Sequence, residues 1–265
     1  MENQFDKSLS VLIFTLNEEK NIEVLLKSLN WIKNIIVVDS LSTDKTLAIV
    51  KKYTQKIFQI KSKGFVESVR NYGISKIKTE WILILDADET VKFNLIRQIE
   101  LLTKNEKFDG YWFPRRQFIN KKTFLKYGYF YPDWQLRFFR NNKGYKYSGK
   151  IHDPINIPLN KTKRINNIFL VHNSSHSKYR SFLSLIKFIN YIKFEGQYLS
   201  KMNITNIQLI LNIINETFRH FFRSFIKKRG YLDGYFGLQA AINYGLYQGL
   251  ISLFALLYRN KILKK

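Results

Sequence analysis

Three short apolar runs, SVLIFT (10–15), IIVVD (35–39) and WILILD (81–86), each stop at an acid or a hydroxyl, and they constrain this chain more than any other feature. Runs of this length without polar alternation fit strands covered on both faces. Between the first two, Ile22, Leu25, Leu26 and Leu29 recur at helical spacing behind Asn17, whose side chain suits an N-cap. Ser42, Thr43 and Asp44 open a second helix, KIFQI (56–60) reads as a third strand, and Phe65 to Ile77 as a helix leading into WILILD. The β-α-β-α-β-α-β series predicts an α/β, Rossmann-like fold with a mostly parallel sheet.

In such a sheet, ligands sit beyond the carboxyl ends of the strands. The residues expected there are Thr15, Asn17, Glu18 and Glu19, then Asp39 and Ser40, then Asp86, Asp88 and Glu89. No GxGxxG follows a strand, so a mononucleotide fits better than a dinucleotide. Asn17, Ser42 and Asp44 serve equally well as caps and turn formers. The acids of ILILDADET (82–90) are different, because carboxylates so close repel one another unless a cation sits among them. That stretch reads as a place for a divalent metal and its anionic ligand.

Charge divides the chain unevenly. Residues 1–90 hold 13 Lys and Arg against 12 acids, whereas residues 91–265 hold 31 against 8, so the net charge of +24 belongs to the second part. An anionic surface is the implied partner: phospholipid, a phosphorylated saccharide or nucleic acid. With no cysteine, disulfides and cysteine zinc sites are excluded and a reducing compartment is the simple reading. The start, MENQFDKSLS, has neither the basic patch nor the apolar run of a signal peptide, which predicts a cytoplasmic location.

Six stretches in order, TLNEEKNIEVLLKSL (15–29), IIVVDSLSTDKT (35–46), RNYGISKIKTEWILILDADE (70–89), YPDWQLRFFR (131–140), GKIHDPI (149–155) and KKRGYLDGYFGL (227–238), carry a resemblance. The chain resembles the GT-A glycosyltransferases of family 2, and within them the lipopolysaccharide core glucosyltransferases of the WaaE or KdtX type. The resemblance implies a GT-A catalytic domain over 1–175, with a nucleotide-binding half (1–90) and an acceptor half (91–175), followed by a helical region over 176–265. It also implies a UDP-sugar donor, with glucose as the sugar, and a lipid-linked saccharide acceptor such as the heptose region of a lipopolysaccharide core.

Carried over residue by residue, the resemblance sets Thr15, Asn17 and Glu18 around the nucleotide, Asp39 on the base, Arg70 beside the nucleotide and Asp86 near the ribose. Asp88 would hold Mg²⁺ or Mn²⁺ against the two phosphates, with His172 as a further ligand. Charge grows on the leaving nucleoside diphosphate as the glycosidic bond breaks, and a cation with nearby Arg or Lys stabilises it. An inverting transfer also needs a base for the acceptor hydroxyl. Asp153 is the first candidate and Asp133 the second; His152 would orient the base or approach the metal. Trp134, Arg137 and Arg140 are candidates for sugar or phosphate contacts. Leu41 stands where relatives have glycine, and since leucine resists positive φ, a different turn is expected there.

The C-terminal third has another character. In residues 206–230, Ile210, Ile214, Phe218, Phe221 and Phe225 share one helical stripe and Arg219, Arg223 and Lys227 another, which suits a helix lying on anionic lipid. Residues 234–258 carry no charge and are long enough to span a bilayer, but Gln239, Asn243 and Gln248 make an interfacial or re-entrant segment the preferred reading. A span and a homo-oligomer contact are the alternatives. Two other functions fit parts of the chain. ILILDADET also fits a haloacid dehalogenase-like phosphatase, yet that signature belongs on a first strand, and the paired downstream acids are missing. A nucleic-acid-binding protein would explain the basic charge, but no zinc spacing, RRM-like signature or helix-turn-helix pattern is present, so no nucleic acid is expected.

Overall fold

A computed structural model describes residues 7–91, 94–119, 123–141, 143–149, 153–172 and 188–263. The order of elements begins β1 (Leu9–Thr15), α1 (Ile22–Ser28), β2 (Ile35–Asp39), α2 (Thr46–Val50), β3 (Ile57–Gln59), α3 (Glu67–Ser75) and β4 (Trp81–Asp86). It continues with β5 (Glu89–Thr90), α4 (Asn94–Thr103), β6 (Gly110–Gln117), β7 (Asp133–Arg140), β8 (Thr162–Arg164) and β9 (Leu170–His172). Three helices follow: α5 (Ile189–Leu199), α6 (Asn206–Phe222) and α7 (Gly234–Arg259).

The strands form one sheet in the order β3-β2-β1-β4-β7-β6-β9-β5, with β8 alongside β6. The first four are mutually parallel, and β7 and β6 return antiparallel. Side chains alternate across a strand. Leu9, Val11 and Ile13 of β1 therefore join Ile35, Val37, Trp81, Leu83 and Leu85 in one buried cluster, which the Ile22, Leu25 and Leu26 face of α1 covers. Leu12 and Phe14 join Ile36, Val38, Ile82 and Ile84 in the other. This is why the sequence runs are continuously apolar: both faces are covered, and each fully buried aliphatic side chain contributes about 1.5–3 kcal/mol.

Local expectations fail in two places. Asn17 caps nothing; Asn21 occupies the N-cap of α1 without a side-chain bond, and Asn17 instead takes φ 54°. Leu41 adopts φ 67° despite its side chain, so the turn keeps the positive φ that leucine was expected to refuse. The left-handed conformation costs about 1–2 kcal/mol. It is held by Asp39, whose carboxylate accepts from the Ser42 N–H at 2.9 Å and from the Ser42 hydroxyl at 2.5 Å.

The chain separates into two compact units: residues 1–116 with 133–173, and residues 117–132 with 174–265. Residues 117–132, which the sequence reading assigned to the catalytic span, thus group with the helices. Within the helical unit, α7 packs against both α5 and α6. Its glycines serve this contact: a Cβ on Gly245 would lie 2.5 Å from the Thr217 carbonyl oxygen, and one on Gly249 2.0 Å from the Thr217 hydroxyl. Small residues at four-residue spacing let two helix backbones approach. The segment around α7 is long and apolar enough to cross a membrane, and 44% of its most apolar window is buried inside the protein.

The outward stripe of α6 differs from the expected one. Ile207, Ile210, Leu211, Ile214, Phe218 and Phe222, with Ile226 in the π-helical turn Arg223–Lys227, are each more than half exposed. Phe221 and Phe225 are half-buried, because Phe221 turns toward Gly245 and stacks on Phe225 at 5.6 Å.

Candidate active site

The parallel strands end in two interlocked loops. Asn17 N–H donates to Ser42 Oγ at 2.9 Å, and Asn17 Oδ1 accepts from Thr43 N–H at 2.8 Å. Glu18 N–H donates to Thr46 Oγ1 at 2.8 Å, and Glu19 N–H to Asp44 Oδ2 at 3.1 Å. Asn17, Ser42 and Asp44 are therefore turn formers that lock the loop after β1 to the loop after β2. Asp39 is fully buried and accepts a further bond from Gln59 Nε2 at 3.1 Å. Both its oxygens are engaged inside the protein. Thr15 Oγ1 is buried without a hydrogen-bond partner.

At the end of β4 the acids meet arginines. β7 runs antiparallel to β4 with Trp81 opposite Arg140 and Leu83 opposite Phe138, so the early residues of β7 reach toward Asp86. Arg137, only 2% exposed, ion-pairs with Asp86 and donates to Glu89 Oε1 at 2.9 Å. Arg115, set opposite Asp133 by the pairing of β6 and β7, lies 2.8 Å from Asp133, 3.3 Å from Glu89 and 3.9 Å from Asp86. Arg70 lies 3.6 Å from Asp86, between the rings of Phe14 and Tyr147. Three carboxylates and three guanidiniums thus neutralise one another. Burial by itself would raise the Asp86 carboxyl, yet Arg137, Arg70 and Arg115 outweigh it and hold the group well below its ordinary 3.8.

Asp88 follows Asp86 by two residues. Its Oδ2 faces His172 Nε2 at 3.1 Å, and β9 brings His172 there by pairing it with Glu89. No group of three or more His, Asp or Glu is assembled for a metal among the described residues. Asp86 and Glu89 are committed to arginines. Asp88 and His172 are the residues here that could hold a divalent cation.

The other candidates scatter. Asp153 is exposed and accepts from Ser148 Oγ at 2.8 Å, in a loop closed by the bridge between Tyr147 and Ile155. Tyr147 Oη lies 3.3 Å from Arg70, which links that loop to the cluster. Asp133 lies in the cluster, bound to Arg115 and Gln135. One face of Trp134 is occupied by the Arg164 guanidinium at 5.2 Å, which leaves less of the ring for a sugar. Arg140 is a correction: the register puts it at the opposite end of β4 from Asp86, where it pairs with Glu80 and Asp109. Arg137 is also corrected, since its burial and its two acids keep it from an incoming phosphate. His152 lies outside the described residues. Arg115 went unnoticed in the sequence because FPRRQ (113–117) carries no pattern; only the antiparallel register reveals it.

A parallel half-sheet with polar loops at its carboxyl ends, and antiparallel strands carrying arginine to the acid pair, is a GT-A-like architecture. The family description Glycosyl transferase family 2 matches residues 10–163, and the chain belongs to that family. Among similar proteins, the lipopolysaccharide core biosynthesis glycosyltransferase LpsC of Rhizobium meliloti (strain 1021) is 30% identical over 159 residues, 56% of either chain. An uncharacterized glycosyltransferase of Rickettsia bellii (strain RML369-C) is 35% identical over 115 residues, 42% of this chain and 38% of that one. The chain therefore spans roughly two fifths to just over half the length of these relatives. A structure of S. aureus TarS 1-349 in complex with UDP-GlcNAc is similar at a TM-score of 0.49 and 16% identity, over 96% of this chain and 92% of that one.

Proposed function

We propose that this protein moves a sugar from a UDP-sugar to a lipid-linked saccharide with inversion, the particular reading being glucose added to the heptose region of a lipopolysaccharide core. The observation that carries it is the meeting of the Asp86 and Asp88 strand end with Arg70 and Arg115 inside a family 2 domain. The kinship with LpsC supports the acceptor class. The locked loops after β1 and β2 would hold the nucleoside, with Arg70 beside it. Asp88 and His172 would hold Mg²⁺ or Mn²⁺, which when bound supplies the positive charge that steadies the departing diphosphate.

In the transfer, the acceptor hydroxyl oxygen bonds to the anomeric carbon as the bond to UDP breaks, and a carboxylate takes the hydroxyl proton. Asp153 suits this role better than Asp133, because Arg115 and Gln135 already occupy the oxygens of Asp133. The exposed apolar stripe of α6 supports work at the cytoplasmic face of a bacterial inner membrane, as a peripheral or monotopic protein.

Thermal unfolding with UDP, GDP and dTDP sugars, each with Mn²⁺, tests the donor. A UDP-sugar near 100 times its Kd is expected to raise Tm by about 5 °C, and the Asp88→Ala protein to lose the shift and the transfer. A shift with GDP-sugars alone overturns the UDP assignment, and full transfer by Asp88→Ala overturns the metal role.

A further inference from the structure

The stretch KKRGYLDGYFGL (227–238) plays no part in the chemistry above, yet the structure builds something with it. Asp233 accepts from the backbone N–H groups of Lys126 and Tyr127, at 2.9 Å each, and Gly128 N–H donates to the Lys228 carbonyl at 3.0 Å. Three bonds thus fix the loop that presents Tyr129. Over the Tyr129 ring lie two cations, Lys228 Nζ at 4.3 Å from its centroid and the Arg223 guanidinium at 5.8 Å. The rings of Tyr244 and His220 close its surroundings at 4.6 and 5.9 Å. Tyr129 Oη and His220 Nδ1 are buried polar atoms without a hydrogen-bond partner.

Among the described residues, no acid is paired with either of these cations. Glu216, the one acid of residues 206–230, is taken by Arg219 and His220. Burial, and then the neighbouring Arg223, pull the Lys228 ammonium below its ordinary value, as two like charges without a counter-ion would. The helix geometry adds the decisive fact. Successive helical residues advance about 100°, so Arg219 and Arg223 both fall on one side of the exposed stripe, beyond its Phe222 and Ile226 edge. Phe222 and Ile226, next to these cations in sequence, are both exposed. A cationic cradle bordering an exposed apolar stripe matches a molecule with an anionic head and an apolar body, and it does not match a free anion.

We propose that Tyr129, Arg223 and Lys228 form a binding site for the phosphate of an anionic phospholipid headgroup, seated where the apolar stripe of α6 meets the bilayer. This rests on the reading that the helical unit works at a membrane, and it adds a defined lipid contact to diffuse attraction. The π-helical turn Arg223–Lys227 is the local device, since it carries Arg223 and leads straight into Lys228 beside Tyr129.

The test is sedimentation of the full-length protein with vesicles of phosphatidylcholine alone or mixed with phosphatidylglycerol. The Arg223→Gln/Lys228→Gln protein is compared with a control of equal charge, Lys201→Gln/Lys261→Gln, whose changes flank the other end of α6. The first variant is expected to lose about 30-fold of its partition onto phosphatidylglycerol vesicles, and the control much less. Equal loss in both variants, or loss in neither, overturns the site. So does stabilisation by inorganic phosphate without any preference for anionic vesicles, which would make it a site for soluble phosphate. A concentration-dependent dimer that ignores both kinds of vesicle would assign the stripe to a second copy and likewise overturn it. UDP-sugar thermal shifts measured on the same proteins are expected to match wild type. Failure of those shifts in wild type would strike the donor assignment alone, leaving the vesicle result to be read by itself.

Discussion

The two units handle positive charge in opposite ways. In the sheet unit, Arg137, Arg115 and Arg70 are folded inward against Asp86, Glu89 and Asp133. In the helical unit, Arg223 and Lys228 lie on an aromatic ring with no acid paired to them among the described residues, next to apolar side chains left in solvent. One arrangement fixes a geometry and leaves little net charge; the other leaves charge available to something outside the protein. A buried ion pair contributes little net stability but is costly to break, whereas an exposed cation costs little to remove and acts only on a partner.

The sharpest way to probe the sheet unit is through its carboxylates. Asp153→Asn is expected to lower the transfer rate by about 10²–10⁴-fold while donor binding, read by thermal shift, stays intact. Loss of rate in Asp133→Asn with an active Asp153→Asn would move the base into the arginine cluster. Next in size is a matched pair across the two units. Arg137→Met, which removes the nearest guanidinium from both Asp86 and Glu89, is expected to cost about 3–5 kcal/mol in denaturant unfolding. Arg223→Met should stay within about 0.5 kcal/mol of wild type, and a similar cost for both would erase the contrast.

Acid provides a smaller handle. Because the Asp86 carboxyl is held below its ordinary 3.8, its contribution is complete above that value and disappears as pH falls toward the folded-state value. The stability gap between wild type and Asp86→Asn should therefore be constant near neutrality and close below about pH 4, as read by urea midpoints. A gap that persists unchanged in acid would mean that the carboxylate charge is not what the arginines hold. The smallest effect belongs to Leu41→Gly. Relief of the left-handed strain, less the entropy that glycine loses on folding, should stabilise the protein by about 0.5–1 kcal/mol.

Much of the fold was legible in the chain. The strands ending at Thr15, Asp39 and Asp86 were readable from their apolar runs and the polar residues that stop them. The acid pair of ILILDADET was readable as well, because carboxylates beyond a buried strand demand a partner. What they partner was not. Arg115 and Arg137 lie far along the chain from Asp86, and the antiparallel register of β6, β7 and β4 alone brings them to it and sends Arg140 away. The expected stripe of α6 shifted for a similar reason: Phe221 and Phe225 follow the helical period, but the glycines of α7 draw helix α6 close and cover them.

The sequence by itself determined the parallel half-sheet and the chemical character of its edge, because burial period and strand-end chemistry are local properties of a chain. Tertiary structure alone decided which cations neutralise Asp86, that Leu41 accepts φ 67°, and that Lys228 and Arg223 converge on Tyr129. Those outcomes depend on register and on helix approach, and both are set by the sum of many weak contacts between segments distant in sequence, which no local pattern records.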